Sequence, residues 1–129
     1  LQASLSTLLA GEPPPGSTGW HIAFGPATDR RRLQLQQAAI SGSGTPVKGP
    51  HIVDPRSGRA ATHHQMAWAG AMEAAAADAL STALIVMQPT QLQRFTEDHR
   101  QYPAWVLPVG NSRLRVLREP EGERFRSAR

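Results

Sequence analysis

The strongest structural signal in this chain is residues 72–87, which read MEAAAADALSTALIVM. Alanine has the highest intrinsic helix propensity, and the stretch contains neither glycine nor proline. We therefore predict a helix over Met72–Met87 that ends before Pro89, because the residue before a proline disfavours helical geometry. A second helix is predicted from Thr90 to about Arg100, with Pro89 in its first turn and with Leu92 and Phe95 facing inward.

Strands are predicted on both sides of these helices, and the clearest of them alternate large apolar with polar residues. They are Trp20–Phe24, Leu33–Gln36, His51–Val53, His64–Gly70, Ala104–Leu107 and Leu114–Leu117. The first two are predicted to pair as a hairpin through residues 27–32, and the last two to be joined by a turn at Gly110-Asn111. The order of strands, helices and strands predicts an α+β fold, with a mostly antiparallel sheet covered by helices on one face.

Glycine and proline mark the predicted loops, and charge marks the predicted tail. Ser41–Pro46 and residues 48–50 are too rich in glycine and proline for a regular element. Residues 3–10 fit either a strand or a helix end. From Arg118 onward the chain is charged and poor in apolar residues, so we predict a folded part over residues 1–117 and a disordered tail over residues 118–129.

Length and composition limit the function classes. A chain of 129 residues is expected to form one domain with one core. It has no cysteine, which excludes a disulfide framework and thiolate chemistry. The net charge of +4 comes almost entirely from arginine, but the arginines lack the interleaved aromatic residues on which single-stranded nucleic acids stack. A solvated basic surface is therefore preferred over nucleic-acid binding, and the longest apolar run, Ala83–Met87, is too short to cross a bilayer.

Asp78 and Thr82 are the candidate metal ligands. They stand four residues apart on the predicted helix, which places a carboxylate and a hydroxyl side by side on one face. Magnesium prefers such oxygen donors, takes one or two carboxylates from the protein, and fills its remaining positions with water and phosphate oxygens. The residues alone leave open the alternative that this is an ordinary solvent-facing pair.

A second candidate is the stretch that begins at His51. Asp54-Pro55 opens a turn that Gly58 closes, and local backbone chemistry accounts for these residues. His51 follows a flexible Gly-Pro stretch and presents either a neutral acceptor or a cationic donor near neutral pH, although a structural histidine is the commoner case. Arg56 is either a bidentate phosphate ligand or a solvated surface residue.

Two further patterns are weaker. Ser41–Gly44 offers backbone amides to an anionic group if it is more than a flexible turn. His63 and His64 are adjacent, so a strand points them to opposite faces and a zinc site is disfavoured. No Gly-x-Ser-x-Gly elbow occurs in the sequence, and a hydrolytic nucleophile is therefore not expected.

Two motifs, in this order along the chain, resemble the ApbE family of FAD:protein FMN transferases. His51–Gly58 is similar to the family's His-x-x-Asp-Pro-x-[Thr/Ser]-Gly loop, and Ala77–Ala83 is similar to its Ala-Asp-Ala-x-x-Thr-Ala helix. Trp20–Phe24 and Ala38–Gly42 also resemble the strand and the Ala-Thr-Ser-Gly segment that precede the loop in the family. The similarity covers residues 20–110 and corresponds to the C-terminal half of the family's fold.

The resemblance implies an ApbE-type, T-fold-like architecture that is incomplete in this chain, and it implies a set of site residues. Asp78 and Thr82 would be side-chain ligands of a magnesium ion that bridges to the FAD pyrophosphate. His51 would lie beside the flavin diphosphate, and Asp78 and His51 would be the catalytic residues. The cofactor-binding residues would be His51, Ser41, Gly42 and Arg56.

The reaction that the resemblance implies is attack by a threonine or serine hydroxyl of an acceptor protein on the FMN phosphorus of FAD, with AMP leaving. Mg²⁺ and FAD are the implied cofactors, and the acceptor protein and a missing N-terminal half or partner chain are the implied partners. The resemblance suggests the bacterial periplasm or a membrane-anchored lipoprotein. The alternative is a non-catalytic ApbE-like half-domain that binds flavin or serves as a structural module, and a basic nucleic-acid binder is the least favoured interpretation.

Overall fold

The computed structural model describes residues 2–3, 6–45, 49 and 51–128. Within them the chain forms two helices, α1 (Ala74–Val86) and α2 (Pro89–Asp98). The strands of these residues are β1 (Gln2–Ala3), β2 (Thr7–Ala10), β3 (Trp20–Phe24), β4 (Arg31–Leu35), β5 (Ala38–Gly44), β6 (Val53–Asp54), β7 (Arg59–Ala60), β8 (His64–Ala71), β9 (Ala104–Pro108), β10 (Arg115–Arg118) and β11 (Phe125–Ser127). In this described part of the chain, neither helix has the length and apolar character needed to span a membrane.

These strands form three sheets. A five-stranded antiparallel sheet has the order β10-β9-β8-β5-β2. A four-stranded sheet has the order β1-β3-β4-β11, in which only β1 and β3 run parallel. The third sheet is the short hairpin β6-β7. The five-stranded sheet is the middle layer, with the four-stranded sheet against one face and both helices against the other.

Alternation along β8 shows why the middle sheet has one bulky face and one narrow face. Trp68 points toward the four-stranded sheet, where it joins Phe24 and Trp105, whereas Ala67 and Ala69 point toward the helices. Successive strand residues face opposite sides, so each face keeps one kind of side chain. The ring centroids of Phe24 and Trp105 lie 4.6 Å apart and link the two sheets. The alanine face lets α1 approach the middle sheet closely.

The predicted fold class is confirmed, because the chain is an α+β fold with mostly antiparallel sheets and with both helices on one face. The predicted hairpin is also confirmed, with Ile22 of β3 opposite Leu33 of β4. Residues 7–10 are a strand, which is one of the two alternatives for that stretch. The prediction of a strand over His51–Val53 is confirmed only at Val53, where β6 begins. The sequence predicts the β3-β4 hairpin but not the separate four-stranded sheet that contains it. The other two strands of that sheet, β1 and β11, are too short to show a periodic pattern.

The prediction of a loop at Ser41–Pro46 is wrong for its first four residues. They belong to β5, which lies inside the five-stranded sheet between β8 and β2. Ser41 and Ser43 face α1, whereas Ile40 faces the four-stranded sheet. Tertiary packing thus overrides the low strand propensity of glycine and serine. Pro46, Lys48 and Pro50 lie outside the described residues.

The structure also differs from the prediction of a disordered tail. Phe125–Ser127 forms β11, which pairs with β4. The Phe125 side chain is 5% exposed and lies in the core between the two larger sheets. It lies close to Gly70, where an added Cβ would be only 2.6 Å from Phe125 Cε1. One docked aromatic ring therefore holds this strand in place despite its charged neighbours.

Candidate functional site

Helix α1 positions both predicted metal ligands. One face of the helix is buried against the sheet at the i, i+4, i+7, i+8 spacing. The buried residues are Ala77, Ser81, Leu84 and Ile85. Asp78 and Thr82 each follow one of them, and both are exposed. The two side chains thus share a solvent-facing surface one helical turn apart, as their spacing predicts, whereas the binding of a metal there stays a prediction.

A series of hydroxyl groups links this face of α1 to the middle sheet. Thr82 Oγ1 lies 3.0 Å from Ser43 Oγ, which lies 2.8 Å from Ser81 Oγ. Ser81 donates to Ser41 Oγ over 3.3 Å, and Ser41 Oγ lies 2.8 Å from Thr7 Oγ1 on β2. We call these five residues the hydroxyl chain. Ser41 and Ser81 are fully buried, so the hydroxyl chain runs from the core to the exposed Thr82.

Asp78 takes part in these contacts through its backbone, and its carboxylate is exposed. Its carbonyl oxygen accepts a hydrogen bond from Ser81 Oγ at 3.0 Å. In the part of the chain that the structure describes, the Asp78 carboxylate has neither a hydrogen-bond partner nor an ion pair. An exposed carboxylate in this state is available to a cation from outside the protein.

The loop before β6 packs against the C-terminal half of α1. Ile52 is 8% exposed and shares a core cluster with Leu84 and Ile85. The neighbouring His51 is exposed, and its Nδ1 lies 2.9 Å from the carbonyl oxygen of Gly49. The buried Ile52 therefore holds His51 near the helix that carries the two candidate ligands.

Arg56 ties the same segment to the end of the helix. Its Nε and Nη2 donate to the two carboxylate oxygens of Asp54 at 2.9 and 2.8 Å. Nη2 also donates to the Val86 carbonyl oxygen at 3.0 Å, at the last residue of α1, where a cation is favoured by the helix dipole. The hydrogen-bonded guanidinium lowers the pKa of the Asp54 carboxyl. Arg56 thus positions this loop, and its contact with a cofactor stays a prediction.

Ser41 and Gly42, which are predicted to bind the cofactor, lie inside β5. Both are buried, and Gly42 stands opposite Trp68 of β8. This burial does not favour direct contact with a cofactor, and it makes Ser41 a member of the hydroxyl chain instead. Sequence reasoning missed Ser43 as the partner of Thr82. The available signal was that Ser41 and Ser43 are two residues apart, which places them on one face of a strand.

Asp78 and Thr82 present two oxygen-bearing side chains on one face of α1, which is fewer than a cation needs. Among residues 2–3, 6–45, 49 and 51–128, no cluster of three His, Cys, Asp or Glu side chains is placed to hold a metal ion. A cation at this position would therefore take its other ligands from water, from phosphate oxygens or from another polypeptide segment. A cavity of about 660 Å³ opens at the N-terminal end of α1, beside Met72, Glu73 and Tyr102, and neither candidate ligand lines it.

Two kinds of similarity connect this chain to known proteins. Residues 5–106 match the ApbE family. The chain is also similar to the apo form of the flavinyl transferase ApbE from Pseudomonas stutzeri, with a TM-score of 0.67 and 26% identity, over 82% of this chain and 36% of that one. The flavin transferase ApbE from Vibrio cholerae has a TM-score of 0.62 and 20% identity, over 82% of this chain and 37% of that one. The chain thus spans little more than a third of the length of these structures. Comparison with curated proteins gives no match.

Proposed function

This chain belongs to the ApbE family, and from that premise we propose that it carries the metal-binding part of a flavin transferase. The proposed reaction is magnesium-dependent transfer of FMN from FAD to a threonine or serine hydroxyl of an acceptor protein. The hydroxyl oxygen bonds to the FMN phosphorus, the phosphoanhydride bond breaks, and AMP leaves. The rest of the catalytic unit would come from further polypeptide or from a partner chain, since this chain covers only 36% of the Pseudomonas stutzeri protein.

The observation that supports this proposal most directly is the pair of oxygen donors on α1. The Asp78 carboxylate is exposed, and the Thr82 hydroxyl lies one turn away on the same face. Hard oxygen donors suit Mg²⁺, and two protein ligands leave positions for water and for phosphate oxygens. When bound, the ion would neutralise charge on the diphosphate, which is most of what phosphoryl transfer requires. Asp78 would hold it through its negative charge and Thr82 through a lone pair.

His51 is proposed to act beside the diphosphate. Its Nδ1 must carry a proton in the contact with the Gly49 carbonyl, because a carbonyl oxygen only accepts. The neutral ring then has Nε2 as its proton acceptor, and the contact with Gly49 keeps this tautomer in place. Neutral His51 would take the proton of the attacking hydroxyl through Nε2.

The test of the proposed function is flavin transfer by the full-length protein. Asp78→Ala is expected to abolish magnesium-dependent AMP release and covalent attachment of flavin to a threonine-bearing acceptor. The unfolding temperature should stay unchanged, because an exposed helical aspartate contributes little to stability. Asp98→Ala, at an exposed aspartate of α2, is the matched control and should keep both activities. Undiminished transfer by Asp78→Ala would remove Asp78 from the site.

This chain covers little more than a third of each matched structure, and this favours a second candidate function. The chain would then be a non-catalytic ApbE-like half-domain that binds flavin or serves as a structural module. In that case, full-length wild-type protein mixed with FAD, Mg²⁺ and the acceptor releases no AMP. Release of AMP together with labelling of the acceptor would exclude this alternative.

A further inference from the structure

One member of the hydroxyl chain, Ser81, contacts the Asp78 carbonyl oxygen, a group that can accept hydrogen bonds but cannot donate them. Ser81 Oγ donates to the Asp78 carbonyl oxygen over 3.0 Å and to Ser41 Oγ over 3.3 Å. A serine hydroxyl has one proton. The Asp78 carbonyl oxygen can only accept, whereas Ser43 can also donate, so the contacts of Ser81 with Asp78 and with Ser43 are both satisfied when the Ser81 proton serves the carbonyl. The 2.8 Å contact between Ser43 and Ser81 therefore uses the proton of Ser43.

The same reasoning fixes the direction of the Thr82 hydroxyl. The single proton of Ser43 points to Ser81, so the 3.0 Å contact between Ser43 and Thr82 must use the proton of Thr82. The Thr82 hydroxyl thus donates into the fold, and its lone pairs remain for the exterior. A metal ligand needs this orientation, because lone pairs attract a cation and a hydroxyl proton repels it.

Ser81 also occupies the acceptor, the Asp78 carbonyl oxygen, to which the Thr82 hydroxyl would otherwise donate. Serine and threonine hydroxyls inside helices often donate to the carbonyl four residues earlier, which for Thr82 is the carbonyl of Asp78. That oxygen has two lone pairs, of which the helix backbone uses one and Ser81 uses the other. Ser43 supplies a replacement acceptor from the middle sheet. Thr82 is thereby kept from folding back onto its own helix.

From this geometry we infer that Ser43 and Ser81 are positioning residues that preset the Thr82 hydroxyl as a ligand for a divalent cation. The inference rests on the proposed function, in which Asp78 and Thr82 hold that cation. Neither serine touches the ion, and each acts by fixing where the Thr82 proton points. Without them the Thr82 hydroxyl can donate to the Asp78 carbonyl instead, so the cation has to reorient it on binding and the affinity for the cation falls.

The test is the affinity of the full-length protein, saturated with FAD, for Mn²⁺, measured from the EPR signal of the free ion. Ser43→Ala should weaken Mn²⁺ binding about two- to tenfold, the effect of one lost neutral hydrogen bond, and Ser81→Ala should act in the same direction. Ser43→Thr keeps the hydroxyl and should restore the affinity. In a Thr82→Val background, Ser43→Ala should have no further effect.

Thr7→Val is the matched control for these variants. It removes a hydroxyl from the other end of the hydroxyl chain, beyond Ser41, and should leave the Mn²⁺ affinity unchanged. Equal weakening by Thr7→Val and Ser43→Ala would overturn the inference, because it would show a purely structural role. If Thr82→Val weakens binding and Ser43→Ala does not, the inference fails and the proposed function stands. If Asp78→Asn and Thr82→Val both bind Mn²⁺ like the wild type, the proposed function itself fails.

Discussion

Replacing Phe125 with alanine should lower the free energy of unfolding by about 3 kcal/mol. The side chain is 5% exposed and packs in the core between the two larger sheets. Truncation of a core phenylalanine costs about 3–5 kcal/mol. The lower value applies because β11 is the last strand in the order β1-β3-β4-β11, so its surroundings can relax into the cavity. A domain has a total stability of about 5–15 kcal/mol, so this loss is a large fraction of it.

Urea unfolding followed by tryptophan fluorescence measures this effect, because Trp68 and Trp105 lie in the same core cluster as Phe125. Arg126→Ala is the matched control, since Arg126 is on the same strand but exposed, and it should change the free energy by less than about 0.5 kcal/mol. An unfolding midpoint for Phe125→Ala equal to that of Arg126→Ala would refute the reasoning. It would show that β11 is not docked in solution.

Two further predictions concern buried positions of β8. Gly70→Ala places a Cβ 2.6 Å from Phe125 Cε1 and 2.8 Å from Pro103 Cγ, so we expect the free energy of unfolding to fall by about 1–3 kcal/mol, and a wild-type urea midpoint would contradict this. Burial lowers the pKa of the His64 imidazole from its usual value of 6.5, so the folded state favours the neutral ring. The stability that depends on neutral His64 is therefore fully present above about pH 6.5 and is lost progressively as the pH falls below that value. Urea midpoints measured between about pH 7.5 and 5.5 will show this loss. His64→Gln should reduce this pH dependence, and an unaltered dependence in this variant would contradict the assignment.

The elements that the sequence predicts well are those with a strong local signal, either in composition or in alternation. Helix α1 follows from its composition, and β3 and β4 follow from their alternation. Strand β5 is missed because serine and glycine have low strand propensity, and only its position between β2, β8 and α1 makes small residues suitable there. Strand β11 is missed because a single phenylalanine among charged residues has no period, and its partner Leu35 lies ninety residues earlier in the chain.

The candidate site shows the same difference between features set by local sequence and features set by contacts between distant segments. The shared face of Asp78 and Thr82 follows from their spacing, because helix geometry is local. The contact between Ser43 and Thr82 joins residues that are 39 positions apart in different layers. It depends on the register of β5 under α1, which neither segment encodes by itself. The fold of the two motifs is therefore easier to predict than the hydrogen bonds that orient their side chains.

The alanines between α1 and the middle sheet act as spacers for the candidate site. Ala67 and Ala69 of β8, together with Ala77 of α1, set how far the helix axis stands from the sheet. A larger side chain at any of these positions would lift the helix. The 3.0 Å contact between Ser43 and Thr82 is lost after a shift of about half an ångström. The width of this apolar gap therefore decides whether a hydroxyl on the sheet reaches a hydroxyl on the helix.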